Sequence, residues 1–357
     1  MTLTKNHIID MPNIDWNSLS FSYTKTRTLV YSRCIDGKWE TPVVTEDFNL
    51  LLNPFAGVFH YAPSCFEGLK AFRGVDGRIR LFRPDMNARR MQDSAAYLDM
   101  PAPSVEMFVD MCIQCVKGNL EFVPPYEASG ASLYLRPVLF GYNPQLGIRS
   151  AKDVMFVVMA SPVGTYSGDK SLTPGTAVLS RNYDRSATFG SGGHKLGANY
   201  AQSLHAYNIA HNAGYRELLF LDSATKTTIE EFGSSNFFAI KGNTYITPRS
   251  QSILPSITNA CLRTVAEDFG MEVEMRPVHV EELAEFDEVC SCGTAVVITP
   301  ICSIDDKPAL ESPDVTRRFV FGDPDKCGPK SEKLYWKIIG IQKGLEPDPR
   351  GWCLFID

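Results

Sequence analysis

Three features of the chain point to an α/β protein of the α+β kind, built as two α/β domains. Its 357 residues are too many for one ordinary core and suit two. Strand-like and helix-like segments are interleaved along the chain rather than confined to separate parts. A glycine- and proline-rich break lies near the middle, at Gly164, Gly168 and Thr173-Pro174-Gly175. The expected division is a smaller N-terminal domain over residues 1–163, a short interdomain loop over 164–174, and a larger C-terminal domain over 175–357.

The first part opens with short mixed segments over about the first 50 residues. Within them, Tyr31–Ile35 and Trp39–Val44 flank a turn at Asp36-Gly37, a pair suited to reversing the chain. From Phe59 the pattern is strand-like, followed by Phe66–Phe72, a turn at Asp76-Gly77 and the strand Ile79–Phe82. Residues 84–98 read as a helix, with Met86, Arg90, Met91, Ala95 and Leu98 at helical spacing. A second helix is expected over about 104–122, then strands at Ser132–Phe140 and Val154–Ala160. After the break, a strand at Thr176–Arg181 leads to a glycine-rich loop, Gly190–Gly193. A helix over about Asn199–His211 ends before Gly214. Strands Glu217–Leu221 and Asn236–Ile240 follow, the latter turning at Lys241-Gly242-Asn243 into Thr244–Thr247. The helix Ile257–Phe269 stops at Gly270 and carries Ile257, Cys261, Leu262, Val265, Ala266 and Phe269 on one face. Strands at Glu288–Cys292 and Val296–Ile304 flank a break at Gly293-Thr294-Ala295. No internal repeat, low-complexity tract or heptad pattern is present.

Composition excludes several functions. Hydrophobic residues make up 44% and charged residues 21%, an ordinary globular balance. A net charge of −6 gives no electrostatic reason to bind nucleic acid or an anionic membrane. The strongest apolar run, Val154–Ala160, is far too short to span a bilayer and suits a buried strand. The N-terminus lacks the apolar stretch of a signal peptide. Asp10 and Asp15 precede the first arginine, Arg27, against a mitochondrial leader, so a cytoplasmic location is expected. Among ten cysteines, Cys112 and Cys115 form a C-x-x-C and Cys290 and Cys292 a C-x-C. Neither has partners at zinc-finger spacing, so reduced core thiols and no metal are expected.

The glycine-rich loop GSGGHKLGANY is the first place to look for chemistry. It is not a P-loop, because His194 and Leu196 stand where glycine and Ser/Thr are needed around Lys195. It is not a dinucleotide fingerprint, because Lys195 takes the third glycine's place. These mismatches count against a nucleotide-binding module. On its own Lys195 reads as a solvated loop lysine, the usual state of that residue type. Its setting offers another reading. Small neighbours admit a flat ring to the backbone, and Tyr200, near the start of the next helix, can face the same cavity. A lysine that attacks a carbonyl has to lose its proton, which calls for a desolvated or cation-rich site.

SGGHKLGANYAQS resembles the Schiff-base lysine segment of the branched-chain amino acid aminotransferases, within the fold-type-IV class of pyridoxal phosphate enzymes. Seven further segments resemble that family in its order: HYAPSCFEGLKAFRG, LFRPDMNARRM, LYLRPVLFGYNPQLGI, PVGTYSG, TIEEFGSSNFF, SILPSIT and CGTAVVITP. Together they span most of the chain. The resemblance implies pyridoxal 5'-phosphate as cofactor. It implies reversible amino transfer between L-leucine, L-isoleucine or L-valine and 2-oxoglutarate, in two half-reactions. It also implies a homodimer whose active site is completed across the interface.

The same resemblance implies a role for each matched residue. Lys195 carries the cofactor and then acts as the base at the substrate Cα. Glu231 sits beside the pyridine nitrogen, where a carboxylate keeps that nitrogen protonated and the ring a good electron sink. Tyr200 bonds the cofactor's phenolic oxygen. Arg90 and Thr294 hold the phosphate, with the N–H groups of Ile257 and Thr258. The residues Leu254-Pro255-Ser256 read as a helix entry in their own right, which puts those N–H groups at the positive end of a helix dipole. The Thr294-Ala295 backbone receives the substrate α-carboxylate. Tyr134 and Arg136 meet the distal carboxylate of glutamate, Phe66 and Tyr166 form the near walls, and Tyr61, Leu146 and Ile148 come from the partner subunit. Apart from the resemblance, Tyr61, Phe66, Leu146 and Ile148 read as ordinary core residues.

Three positions depart from the family pattern. Ser256 replaces a common glycine in the phosphate turn. Val296 and Thr299 stand at the positions of a C-x-x-C found in mammalian members, so no such redox pair is expected. Glu230 adds a second carboxylate beside Glu231, with no role assigned. The nearest alternatives are a D-amino acid aminotransferase or an aminodeoxychorismate lyase of the same fold. Tyr134-Leu135-Arg136 and LFRPDMNARRM favour the branched-chain reading.

Overall fold

Two nine-stranded sheets make up the framework. The computed structural model describes residues 14–128, 130–164 and 172–356. The first sheet is antiparallel throughout. It contains β1 (Leu29–Ile35), β2 (Lys38–Trp39), β3 (Val43–Thr45), β4 (Ser64–Phe66), β5 (Leu69–Arg73), β6 (Ile79–Phe82), β7 (Ser132–Gly141) and β8 (Val154–Val163). Its spine is the ten-residue ladder of β7 against β8, running from Ser132↔Val163 to Gly141↔Val154. Helices α1 (Gly57–Tyr61), α2 (Pro84–Tyr97) and α3 (Val105–Lys117) accompany it. Met91 of α2 and Phe108, Met111 and Cys115 of α3 pack with Leu133, Leu135 and Phe156 in one buried cluster.

Two expectations for this part need correction. The stretch around Phe59 is the short helix α1 rather than a strand. Val58, Phe59 and Tyr61 belong to types that favour strands, but the context overrides that weak preference. The expected helix over 104–122 ends at Lys117, and a separate 3-10 turn spans Leu120–Phe122. Between them the buried Asn119 side chain bonds the Thr28 backbone and the Cys115 carbonyl, which breaks the helical run. Cys112 and Cys115 are both buried on α3, and burial pushes the Cys115 thiol up to about 12. They are core residues with no disulfide between them.

The second sheet is mixed. Its strands are β9 (Gly175–Ser180), β10 (Glu217–Leu221), β11 (Ile229–Phe232), β12 (Asn236–Lys241), β13 (Thr244–Pro248), β14 (Glu272–Arg276), β15 (Glu288–Gly293), β16 (Val297–Asp306) and β17 (Arg317–Val320). The pair Glu231↔Asn236 joins β11 to β12 and closes six strands, β11-β10-β9-β16-β15-β12, into a ring. Its filling includes Leu179, Leu219, Phe232, Phe237 and Ile301. Helix α4 (Gly197–Asn212) packs on β10, while α5 (Ile257–Asp268) and α6 (Pro329–Lys343) share a further core with Phe238 and Tyr245.

The chain then turns back. Strand β18 (Cys353–Ile356) pairs with β6 from Cys353↔Phe82 to Ile356↔Ile79, so it belongs to the first sheet. The expected C-terminal unit, 175–357, therefore gives its last strand to the first sheet. Short contacts also join the first sheet to the segment that leads into α4. Phe66 N–H donates to the Lys195 carbonyl at 3.1 Å, and Cys65 and Leu196 form an isolated bridge. No helix among the described residues is long and apolar enough to cross a membrane.

Candidate active site

Lys195 lies immediately before α4 and is pinned to the first sheet by its backbone. Its N–H donates to Ser94 Oγ of α2 at 2.9 Å, and its carbonyl takes the Phe66 N–H. The glycines before it serve this packing. A side chain at Gly192 would overlap the Ser252 carbonyl, and one at Gly193 would come within 2.7 Å of the Gln251 carbonyl. With its main chain fixed, Lys195 sends Nζ into a cavity of about 430 Å³, within the usual range for a small-molecule site. There Nζ bonds Tyr200 Oη at 2.9 Å and lies 4.9 Å from the centre of the Phe66 ring. Phe66 meets Tyr200 edge-on at 4.9 Å.

A carboxylate stands elsewhere in the cavity wall. Glu231 is 3% exposed. Its Oε1 accepts the Leu254 N–H at 3.0 Å and pairs with Arg185 Nη2 at 2.8 Å, and its Oε2 accepts Asn236 Nδ2 at 2.6 Å. Burial raises its proton affinity, while Arg185 and the two N–H donors pull it down. Three donors to one carboxylate hold it in a fixed orientation. Glu230 points elsewhere, as strand alternation requires. It is not a surface acid, being only 2% exposed.

The anion-binding end combines a helix start and an arginine. Ser256 is the N-cap of α5, its side chain accepting the Asn259 N–H at 3.2 Å. That leaves the N–H groups of Ile257 and Thr258 without acceptors inside the helix. The serine that replaces the family's glycine thus takes ordinary extended backbone angles and completes the cap. Arg90 reaches the same place from α2, donating to the Pro255 carbonyl at 2.9 Å. Its guanidinium also makes a two-point pair with Glu67, at 2.8 and 2.7 Å. Burial disfavours the charge on Arg90, but Glu67 outweighs this and raises its pKa.

Tyr134 and Arg136 leave β7 on one face, two residues apart. Arg136 Nη2 approaches Tyr134 Oη at 3.4 Å, and its guanidinium lies 4.8 Å from the centre of the Phe66 ring. Its Nε is buried without an acceptor, and no carboxylate among the described residues pairs with it. Gly68 makes room, since a side chain there would overlap the Tyr134 hydroxyl. Across the cavity, Thr294 and Ala295 form the turn between β15 and β16. The buried Lys70 donates to the Ala295 carbonyl at 2.6 Å, and burial lowers its pKa to about 8.

The cavity thus brings together Lys195, Tyr200, Glu231, Arg90 and Phe66 with Tyr134, Arg136, Thr294 and Ala295. Ile257 and Thr258 sit just behind Ser256, which lines it. Tyr61, Leu146 and Ile148 do not line it. They lie on an outer surface, 43%, 74% and 87% exposed, where the Tyr61 hydroxyl holds the Leu146 carbonyl. Tyr166 lies outside the described residues. No cluster of metal-binding side chains occurs among the described residues.

An amine beside a phenol, a firmly held carboxylate, and a basic cup at a helix start are the features needed by a flat, phosphate-bearing ring with a basic nitrogen. Residues 64–304 match the model of the family described as amino-transferase class IV. The chain belongs to that family. It is 41% identical over 354 residues to a branched-chain-amino-acid aminotransferase of Haemophilus influenzae, covering 97% of this chain and all of that one. It is 38% identical over 349 residues to a chloroplastic branched-chain-amino-acid aminotransferase of Arabidopsis thaliana, covering 97% and 81% of the two chains. A crystal structure of the Escherichia coli branched-chain amino acid aminotransferase superposes with a TM-score of 0.74 at 25% identity, over 93% of this chain and all of that one. The fold is that of the fold-type-IV aminotransferases, and the enzyme is a pyridoxal-phosphate-dependent transaminase. The cavity fits that cofactor in size, charge and the unengaged N–H groups of α5.

Three contributors lay outside the sequence reading. Glu67 and Lys70 stand inside the matched segment HYAPSCFEGLKAFRG, but their partners are distant in the chain. Arg185 precedes the glycine loop and had no flag beyond its charge. Glu67 and Lys70 had a faint signal: a charged residue within a stretch otherwise fit for burial.

Proposed function

We propose that this transaminase moves the amino group between L-leucine, L-isoleucine or L-valine and 2-oxoglutarate, giving the branched 2-oxo acid and L-glutamate. The observation that carries this reading is Arg136, a cation with no counter-ion among the described residues, set against the Phe66 and Tyr134 rings. Such a wall offers an apolar side chain the aromatic faces and offers glutamate's distal carboxylate a waiting partner. The names of the relatives agree with it.

The bound cofactor supplies the electron sink that makes the substrate's Cα proton removable. This chain's residues do the rest. Lys195 anchors the cofactor and, once free, takes the proton from Cα and returns it. Tyr200 orients the lysine amine and bonds the cofactor's phenolic oxygen. Glu231 holds a proton on the ring nitrogen. Arg90, the N–H groups of Ile257 and Thr258, and the Thr294 hydroxyl hold the phosphate. The Thr294-Ala295 backbone receives the α-carboxylate, with Lys70 bracing the turn from behind. Phe66, Tyr134 and Arg136 line the side-chain pocket.

The working unit is a homodimer. Phe55, Phe59, Tyr61, Leu146 and Ile148 form an exposed apolar surface beside α1, larger than scattered surface hydrophobics require. A partner subunit covers it and receives Tyr61, Leu146 and Ile148 in its own pocket. The first sheet is the small domain and the second the large one, with the cofactor between them and the enzyme working in the cytoplasm. The test is a panel of L-leucine, L-isoleucine, L-valine and D-alanine, each with 2-oxoglutarate. Transamination of the three L-amino acids supports the reading. Activity confined to D-alanine overturns it in favour of a D-amino acid enzyme of the same fold.

A further inference from the structure

Glu230 has no place in the chemistry above, yet it is 2% exposed and one residue from Glu231. Its Oε1 takes the Ser252 hydroxyl and, at 3.3 Å, the Ser250 hydroxyl. Its Oε2 is buried with no donor. A carboxylate left half-satisfied in the interior is costly unless its charge is used. The nearby opposite charge is Arg185, 7% exposed, which bonds the Ser252 and Gly192 carbonyls and pairs with Glu231. Burial raises the proton affinity of both carboxylates, the attraction of Arg185 opposes this at each, and the charge of Glu230 adds to it at Glu231. Asp222 adds a weaker repulsion on Glu230, its own oxygens being taken by Thr225, Thr227 and Thr228.

The charge count of this layer is informative. With Glu231 and Arg185 alone it would be neutral, and Arg185 would spend the charge that Glu231 offers to the ring nitrogen. With Glu230 ionised the three groups Glu230, Glu231 and Arg185 together carry one net negative charge, which one protonated ring nitrogen balances. We infer that Glu230 is a positioning residue that supplies the counter-charge to Arg185, leaving Glu231 free to keep a proton on the cofactor's ring nitrogen. This rests on the reading that Glu231 meets that nitrogen. The effect is electrostatic rather than a matter of shape, so an isosteric amide removes it.

The experiment is 15N NMR of the holoenzyme loaded with pyridoxal phosphate labelled at the ring nitrogen, recorded across pH. In Glu230→Gln the resonance should move toward the unprotonated nitrogen, the protonation equilibrium falling on the order of tenfold, about one pKa unit. Ser252→Ala keeps the charge and removes a hydrogen bond, so its resonance should stay with the parent. Glu230→Asp keeps the charge at shorter reach and should also stay with the parent. It is the deciding variant if the Gln form does not retain cofactor, and a displaced resonance in it overturns the inference. So does an unchanged resonance in Glu230→Gln, or equal shifts in Glu230→Gln and Ser252→Ala. Glu231→Gln separates the two levels. If it shifts the nitrogen and Glu230→Gln does not, only the role of Glu230 falls. If Glu231→Gln leaves the nitrogen unmoved, the contact with Glu231 itself is wrong.

Discussion

Replacing Arg136 by Met tests the two-faced pocket most directly. Methionine keeps much of the length and volume and removes the charge. Stability should change little. The loss of the guanidinium's contacts with Phe66 and Tyr134 costs about 0.5–1 kcal/mol each. Removing a buried Nε that has no acceptor offsets part of that. The catalytic effect should be lopsided. Leaving a carboxylate unpaired in a site costs about 2–5 kcal/mol when the site is fully dry. Arg136 is only half-buried, so the lower end applies. A cost of about 2–3 kcal/mol is roughly 30- to 150-fold in the glutamate and 2-oxoglutarate half-reaction. The leucine half-reaction never places a charge there and should lose a few-fold at most. Single-turnover stopped-flow measurement of each half-reaction reads the two numbers separately. Equal losses for leucine and glutamate would refute the reasoning and assign Arg136 to the shared α-carboxylate or to the fold.

Other outcomes follow from the same geometry. Lys195→Ala should abolish transamination while leaving the far-ultraviolet circular dichroism unchanged; turnover near the parent's rate would remove the lysine from the mechanism. Burial lowers the pKa of Lys70 from 10.5 to about 8, so the folded protein gives up this proton more readily than the unfolded chain does. The unfolded chain then binds more protons between those pH values, so parent stability should rise with pH through that window by about 3 kcal/mol from this group. Urea titrations at both ends should show that slope in the parent and its loss in Lys70→Met, whose KM for amino acids should also rise as the Ala295 turn loosens. Leu146→Asp should yield monomers by sedimentation and little activity, and a fully active dimer would place the interface elsewhere.

The legibility of this protein in its sequence was uneven, for reasons that can be located. Strands such as Glu217–Leu221 stand out because an apolar run is bounded by turn residues. Helix α5 stands out because its apolar stripe, its serine cap and its terminal glycine agree. Lys195, Tyr200 and Arg90 lie in recognisable segments, and the fold delivers them to one cavity. What could not be read was pairing across the chain. Glu67 meets Arg90 23 residues later, and Lys70 meets Ala295 225 residues later. Nothing in a local window reports such a partner. The burial of Glu230 was equally out of reach, because adjacent strand residues usually divide between wet and dry faces. Here both faces of β11 are covered. Helix α6 went unread although Pro329 at its start and Gly344 just past its end are both usual signals.

Strand β18 gives the protein a schedule as well as a shape. It occupies the edge of β6, whose four residues are all buried, yet about 270 residues separate the two in the chain. At a synthesis rate of roughly 5–20 residues per second, a ribosome needs roughly 15–55 s to cover that distance. For all that time the nascent first sheet carries a bare apolar edge, the kind that recruits a strand from a neighbouring chain. Chaperone demand during expression should therefore fall on the first sheet, and trimming the chain before Cys353 should leave that edge open for good.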